Sequence, residues 1–156
     1  MSSNILVAFD DSPGALRAVE LVANQFNNDN RVTLFNVSMD TAALCEMNSP
    51  ELTPYFKSEQ NSFCLLEDKK KDLVGEALTN AKDILKAAGF ADEKIQIKVQ
   101  SRKSSVAKDI LDEAGSGYDL IVVGRNGKSG IKEFFLGSTS HKVFSAARDI
   151  SLLIVN

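Results

Sequence analysis

The chain has 156 residues and a formal charge of −3, with 18 Lys and Arg against 21 Asp and Glu. That length suits one ordinary domain over 1–156, and 44% apolar with 25% charged residues argues against disorder. No apolar run approaches the ~18 residues of a membrane span, the first run meets Asp10 and Asp11 too early for a secretory signal, and a charge near zero gives no nucleic-acid signature.

Ile5–Phe9 reads as a first strand. Ser12 then offers an N-cap and Pro13 a first helical position, and Ala15, Leu16, Val19, Val22, Ala23 and Phe26 recur with helical period. Val32–Val37 is the second strand. From Met39 to Leu66 no period is sustained; the stretch holds Pro50, Pro54, Tyr55, Phe56, Phe63 and both cysteines. It is expected to be a long, mobile insert with little regular structure. Cys45 and Cys64 lack metal-site spacing and are expected to be reduced thiols. Leu73, Val74, Ala77, Leu78, Ala81, Ile84, Leu85 and Ala88 make one helical stripe that Gly89 stops. Ile95–Val99 is a strand, and a helix follows from about Ser105 through Val106, Ile110, Leu111 and Ala114 to Gly115. Leu120–Val123, a helix from near Ser138 with Val143, Phe144 and Ala147, and a strand at Leu152–Val155 complete the series.

Strands alternating with helices predict an open α/β fold, one five-stranded parallel sheet covered on both faces. The first and fourth strands are apolar throughout, as central strands are, whereas IQIKV alternates like an edge strand. Right-handed crossovers then give the order 3-2-1-4-5. Ligands of such sheets sit where the winding reverses, here between strands one and four, which end at Asp10 and Gly124.

After Gly124 the chain reads GRNGKSGIKEFFLGSTSHK. Between Leu120 and Arg148 five cations face one carboxylate, a local charge of +4 that leaves −7 for the rest. The loop ends where a helix opens with Gly137, Ser138, Thr139 and Ser140. Free backbone N–H groups, the helix dipole and glycines that let backbone approach closely all favour phosphate there. GRNGKS lacks the first glycine of a P-loop and the helix after it. Gly124, Gly127 and Gly130 fail the dinucleotide spacing. A triad of Ser138, His141 and Asp10 is disfavoured because Ser138 and His141 share one helix and no GxSxG occurs. The single histidine leaves no partner for a His-rich metal site.

The spacing Gly124-x2-Gly127-x9-Gly137-Ser138, with the opening segment ILVAFDDSPGALRAVELVA, resembles the ATP-binding branch of the universal stress protein family. The likeness runs along the whole chain except a variable insert at about 39–66. It implies a Rossmann-like fold of the adenine nucleotide alpha hydrolase type, ATP with Mg2+ as ligand, and no dedicated metal site. It implies that Asp10 lies near the ribose and the metal-bound phosphates, that the main chain of Ala8 and Phe9 borders the nucleotide, and that the Val37 backbone reads the adenine edge. Gly124, Arg125, Asn126 and Gly127 would form the phosphate and ribose loop, Gly137, Ser138, Thr139 and Ser140 a second phosphate segment, and Val123 would also bind the nucleotide. Family members often carry Gly at the position of Asp11 and a small residue at that of Arg125; the arginine is expected either to compensate charge or to obstruct the pocket. The resemblance further implies a cytoplasmic, nucleotide-dependent regulator in stress response. It would act on a protein partner, without nucleic acid or membrane, as a homodimer through Leu152–Val155. A slow ATP hydrolase and a dimeric interaction module without nucleotide are the rival readings.

Overall fold

In a computed structural model, residues 2–125 and 136–156 are described. The elements are β1 (Asn4–Ala8), α1 (Pro13–Gln25), β2 (Arg31–Ser38), α2 (Ala42–Cys45), α3 (Pro54–Ala87), a short 3-10 turn at Asp92–Lys94, β3 (Ile95–Ser101), α4 (Val106–Ala114), β4 (Leu120–Gly124), α5 (Ser138–Ala146) and β5 (Ser151–Val155). One parallel sheet runs in the order β3-β2-β1-β4-β5, as the strand patterns predict. Ile5 lies opposite Val32 and Leu6 opposite Ile121, so β1 is paired on both edges.

The period-2 alternation of the strands divides the core in two. Ile5, Val7, Val32 and Leu34 face α1 and α3, where Val19, Val22, Leu78, Ala81 and Leu85 meet them. Leu6, Phe35, Ile121 and Val123 face α4 and α5, meeting Ala107, Ile110, Ala114 and Val143. Ile5, Leu6 and Val7 are all fully buried, each worth roughly 1.5–3 kcal/mol of transfer free energy. This burial on both faces keeps β1 central and carries Asp10 to the sheet's middle.

The helix starts follow the sequence signals. Ser12 Oγ accepts from Ala15 N at 3.1 Å with Pro13 at the first position, and Ser105 Oγ accepts from Lys108 N at 3.1 Å. Gly89, at φ +104, takes the left-handed turn after α3.

Two expectations fall. The stretch 39–66 is not largely irregular: α2 lies within it, and α3 begins at Pro54 and runs unbroken for 34 residues. Thr53 Oγ1 caps it, accepting from Phe56 N at 3.2 Å. No apolar period marks this part because the helix overhangs the sheet; its first buried residue is Glu67, which pairs with Lys70 at 2.8 Å. The cysteines are not two thiols either. Cys45 and Cys64 form a disulfide, with Cα atoms 5.9 Å apart. The contact arises because α2 folds back on α3, a tertiary event that spacing does not encode.

Candidate functional site

β2 runs three residues past Phe35, the partner of the last residue of β1, and the ends of β1 and β4 with this overhang form the floor of a cavity of about 270 Å3. Phe9 continues the ladder beyond β1, donating its N–H to Phe35 O at 2.9 Å. The chain then turns sharply. Asp10 Oδ1 accepts from Ser12 N at 3.1 Å, an Asx-turn that leads the chain into the Ser12 cap of α1. Asp11 sits at φ +57, in the left-handed region where glycine is least strained. That backbone requirement accounts for a glycine being at home in the position.

The opposite wall is the opening of α5. Ser140 Oγ donates to Gly124 O at 2.6 Å, and Gly137 N donates to Arg125 O at 2.8 Å, so the helix start is tied to the end of β4. α1, α3 and α4 each have a Ser or Thr side chain accepting from their first turn. α5 has Gly137 at its N-cap and no side-chain cap. Among the described residues no side chain accepts from its first turn, which leaves those N–H groups open to an external acceptor, with the positive end of the helix dipole behind them.

The remaining wall is apolar. Phe35, Val37, Val106, Ile110 and Val123 line it, from the ends of β2 and β4 and the first turns of α4. Asp109, buried itself, accepts from Lys103 N at 2.7 Å and Ser104 N at 3.2 Å and so fixes the loop that presents Val106. One end of the cavity thus suits a flat apolar ring and the other an anion.

Of the residues singled out in the sequence, Ala8, Phe9, Asp10, Val37, Val123, Gly124, Gly137, Ser138, Thr139 and Ser140 line this cavity together. Arg125 does not. Its N–H donates to Val155 O at 2.7 Å and its guanidinium reaches Asn156 Oδ1 at 3.2 Å, so it neither obstructs the cavity nor enters its lining. Asn126 and Gly127 lie outside the described residues, as do Lys128, Lys132 and Glu133 of the charged loop. Gly124 has a packing reason for being glycine. A Cβ there would stand 2.6 Å from Gly14 C and 2.8 Å from Gly14 O.

Sequence reading missed Ser12, Ala15, Phe35, Asn36, Val106 and Ile110 as lining residues. Asn36 had a visible signal, a buried amide interrupting the apolar run of β2. Its Nδ2 donates to Phe9 O at 2.7 Å, which holds the two strand ends together. His141 is exposed at the helix start. Among the described residues no group of three or more His, Cys, Asp and Glu side chains could hold a metal ion, and no helix is long and apolar enough to cross a membrane.

The family model of the universal stress protein family matches residues 1–156. A universal stress protein of Bacillus subtilis (strain 168), YxiE, is 32% identical over 144 residues, 92% of each chain. Among solved structures, universal stress protein UspA from Lactobacillus plantarum has a TM-score of 0.72 at 21% identity, covering 99% of this chain and 97% of its own. A universal stress protein in complex with cAMP gives 0.64 at 21%, covering 99% and 97%. An Arabidopsis thaliana family protein with AMP bound gives 0.54 at 15%, covering 99% and 92%. These likenesses to solved structures are likenesses of fold.

Proposed function

The chain belongs to the universal stress protein family, and from that premise we propose that it is an ATP-binding regulatory module of the stress response. The adenine lies against Phe35, Val37, Val106 and Ile110, and the phosphates approach the N–H groups and hydroxyls of Ser138, Thr139 and Ser140. The observation that supports this most is the joining, in one cavity, of an apolar wall and a helix start without a side-chain cap. Relatives of the same fold carry cAMP and AMP, ligands that share adenosine and phosphate with ATP. Mg2+ would come with the triphosphate and neutralise its charge, and Asp10, which lines the cavity, would face the metal-bound phosphates. A cytoplasmic location goes with this reading, since that is where a cell keeps its free ATP, and cell fractionation checks it.

Calorimetry tests the ligand. The parent protein should bind ATP saturably, and Gly137→Val, which adds bulk at the mouth where phosphate must approach, should weaken it about ten-fold or more. Gly137 has φ −56, a conformation valine also adopts, so the variant should fold. Unchanged affinity in a folded variant would refute the phosphate position, and absence of binding by the parent would refute the reading.

A two-fold dimer through β5 belongs to the same proposal. Among the described residues β5 is a sheet edge paired with β4 alone, and Leu152, Leu153 and Ile154 are partly exposed. An apolar edge invites a partner strand. Sedimentation should find a dimer at micromolar concentration; a monomer would refute it.

A further inference from the structure

The segment from Met39 to Thr53 is held by little. Only Thr41 in it is buried, and α2 buries no residue. Neither does α3 between Pro54 and Leu66. A helical stretch of that length is marginal in water without packing. Among the described residues two fastenings join the pieces. Gln60 Nε2 donates to the carbonyls of Leu44 and Met47, and the disulfide links Cys45 to Cys64. Exposed hydrogen bonds compete with water and add little net, so the covalent link carries most of the attachment. Each cysteine is only partly buried, within reach of a small thiol.

The tethered segment also borders a second cavity, of about 420 Å3, between α3 and the ends of β2 and β3. Val37, Val74, Leu78 and Val99 line it, and Met39, the half-exposed first residue of the segment, lies against it as well. Loosening the segment therefore frees one side chain of that lining, Met39.

We propose that Cys45–Cys64 is a thiol–disulfide exchange site whose reduction frees residues 39–66 and unseats Met39 from that cavity. The reductant is a low-molecular-weight thiol of the glutathione class. Its thiolate attacks one cysteine sulfur, forming a mixed disulfide and expelling the other cysteine as a thiolate that takes a proton. A second small thiolate attacks its counterpart's sulfur, releasing the first cysteine, which is protonated in turn. Two electrons have then passed to the protein, leaving two cysteine thiols and one small-molecule disulfide. Reoxidation is the reverse. No step involves nucleotide, so the inference stands apart from the ATP reading.

The full chain equilibrated across reduced and oxidised glutathione provides the test, with free thiols alkylated and counted by mass and amide exchange followed on the same samples. A reversible passage between no alkylated cysteine and both is expected. In the reduced form exchange across 39–66 should rise about ten-fold or more while strand amides stay protected. The Cys45→Ser, Cys64→Ser double variant should exchange fast in every buffer. A bond that yields only when the sheet unfolds, thiols that oxidised glutathione leaves unpaired, or equal exchange of 39–66 in both forms would each overturn the proposal.

Discussion

Gly124→Ala adds a single methyl group at the point where β4 passes under the start of α1. Its carbon would lie 2.6 Å from Gly14 C, 2.8 Å from Gly14 O and 3.1 Å from Ala15 N, against an optimal carbon separation of about 3.5–4.0 Å. All three neighbours are backbone, so no rotamer change relieves the overlap. Their position is set twice over: by the Ser12 cap, and by Ala15, Ala18, Val19 and Val22 beneath them, each nearly or fully buried. Helix α1 must therefore back away from β4 by about 1 Å while its buried face resists. Overpacking of this kind costs about 1–3 kcal/mol, and 2 kcal/mol lowers Tm by about 4–8 °C in a chain of this size. Scanning calorimetry with denaturant midpoints measures it. Because Ser12, Ala15 and Gly124 all line the central cavity, ATP affinity should fall as well. A variant that melts within about 1 °C of the parent would refute the close approach and leave ligand contact as the reason for this glycine.

Asp11 at φ +57 should tolerate glycine better than alanine. Both substitutions remove the same side chain, and only alanine retains the left-handed strain, so denaturant midpoints should favour Asp11→Gly by about 1 kcal/mol; equal stability would count against strain there. Stability should also fall in alkali. Hydrogen bonding to Glu113, at 2.8 and 2.9 Å, holds Lys98 above 10.5, and burial holds the Tyr118 phenol above 10.0. In both cases folding favours the protonated form, so the contribution is full below the unfolded pKa and is lost as pH rises through the folded one. Denaturant midpoints that fall above about pH 10, and less steeply in Tyr118→Phe, are the expected outcome. ATP hydrolysis should run far below the enzyme median of ~10 s⁻¹, because Asp10 is the only carboxylate among the described lining residues and no histidine joins it; a phosphate-release assay near the median would make the protein an enzyme.

Most of the sheet was legible in the residues themselves, for a local reason. Whether a strand is buried on both faces or on one is written as continuous or alternating apolar character, so ILVAF and LIVV declared a centre and IQIKV an edge, and the order β3-β2-β1-β4-β5 followed. Caps and stops are equally local: Ser12, Ser105 and Gly89 act on atoms within a few residues of themselves. The site was legible insofar as it consists of strand ends and one helix start, since the strand order fixes where those converge.

What the sequence could not give was whatever depends on two distant segments meeting, or on a segment meeting nothing. Helix α3 shows no stripe before Glu67 because a helix that overhangs the sheet has no face to bury, and periodicity records burial rather than helicity. The disulfide depends on α2 folding back on α3. Arg125, a cation beside a glycine loop in the sequence, is drawn away to the chain's end because its backbone pairs with Val155. Asn36, Val106 and Ile110 enter the cavity through the height at which β2 ends and the clamp of Asp109 on the preceding loop. Local free energies determine which elements form; which of their side chains share a cavity is decided by where the elements stop relative to one another, and only tertiary packing sets that.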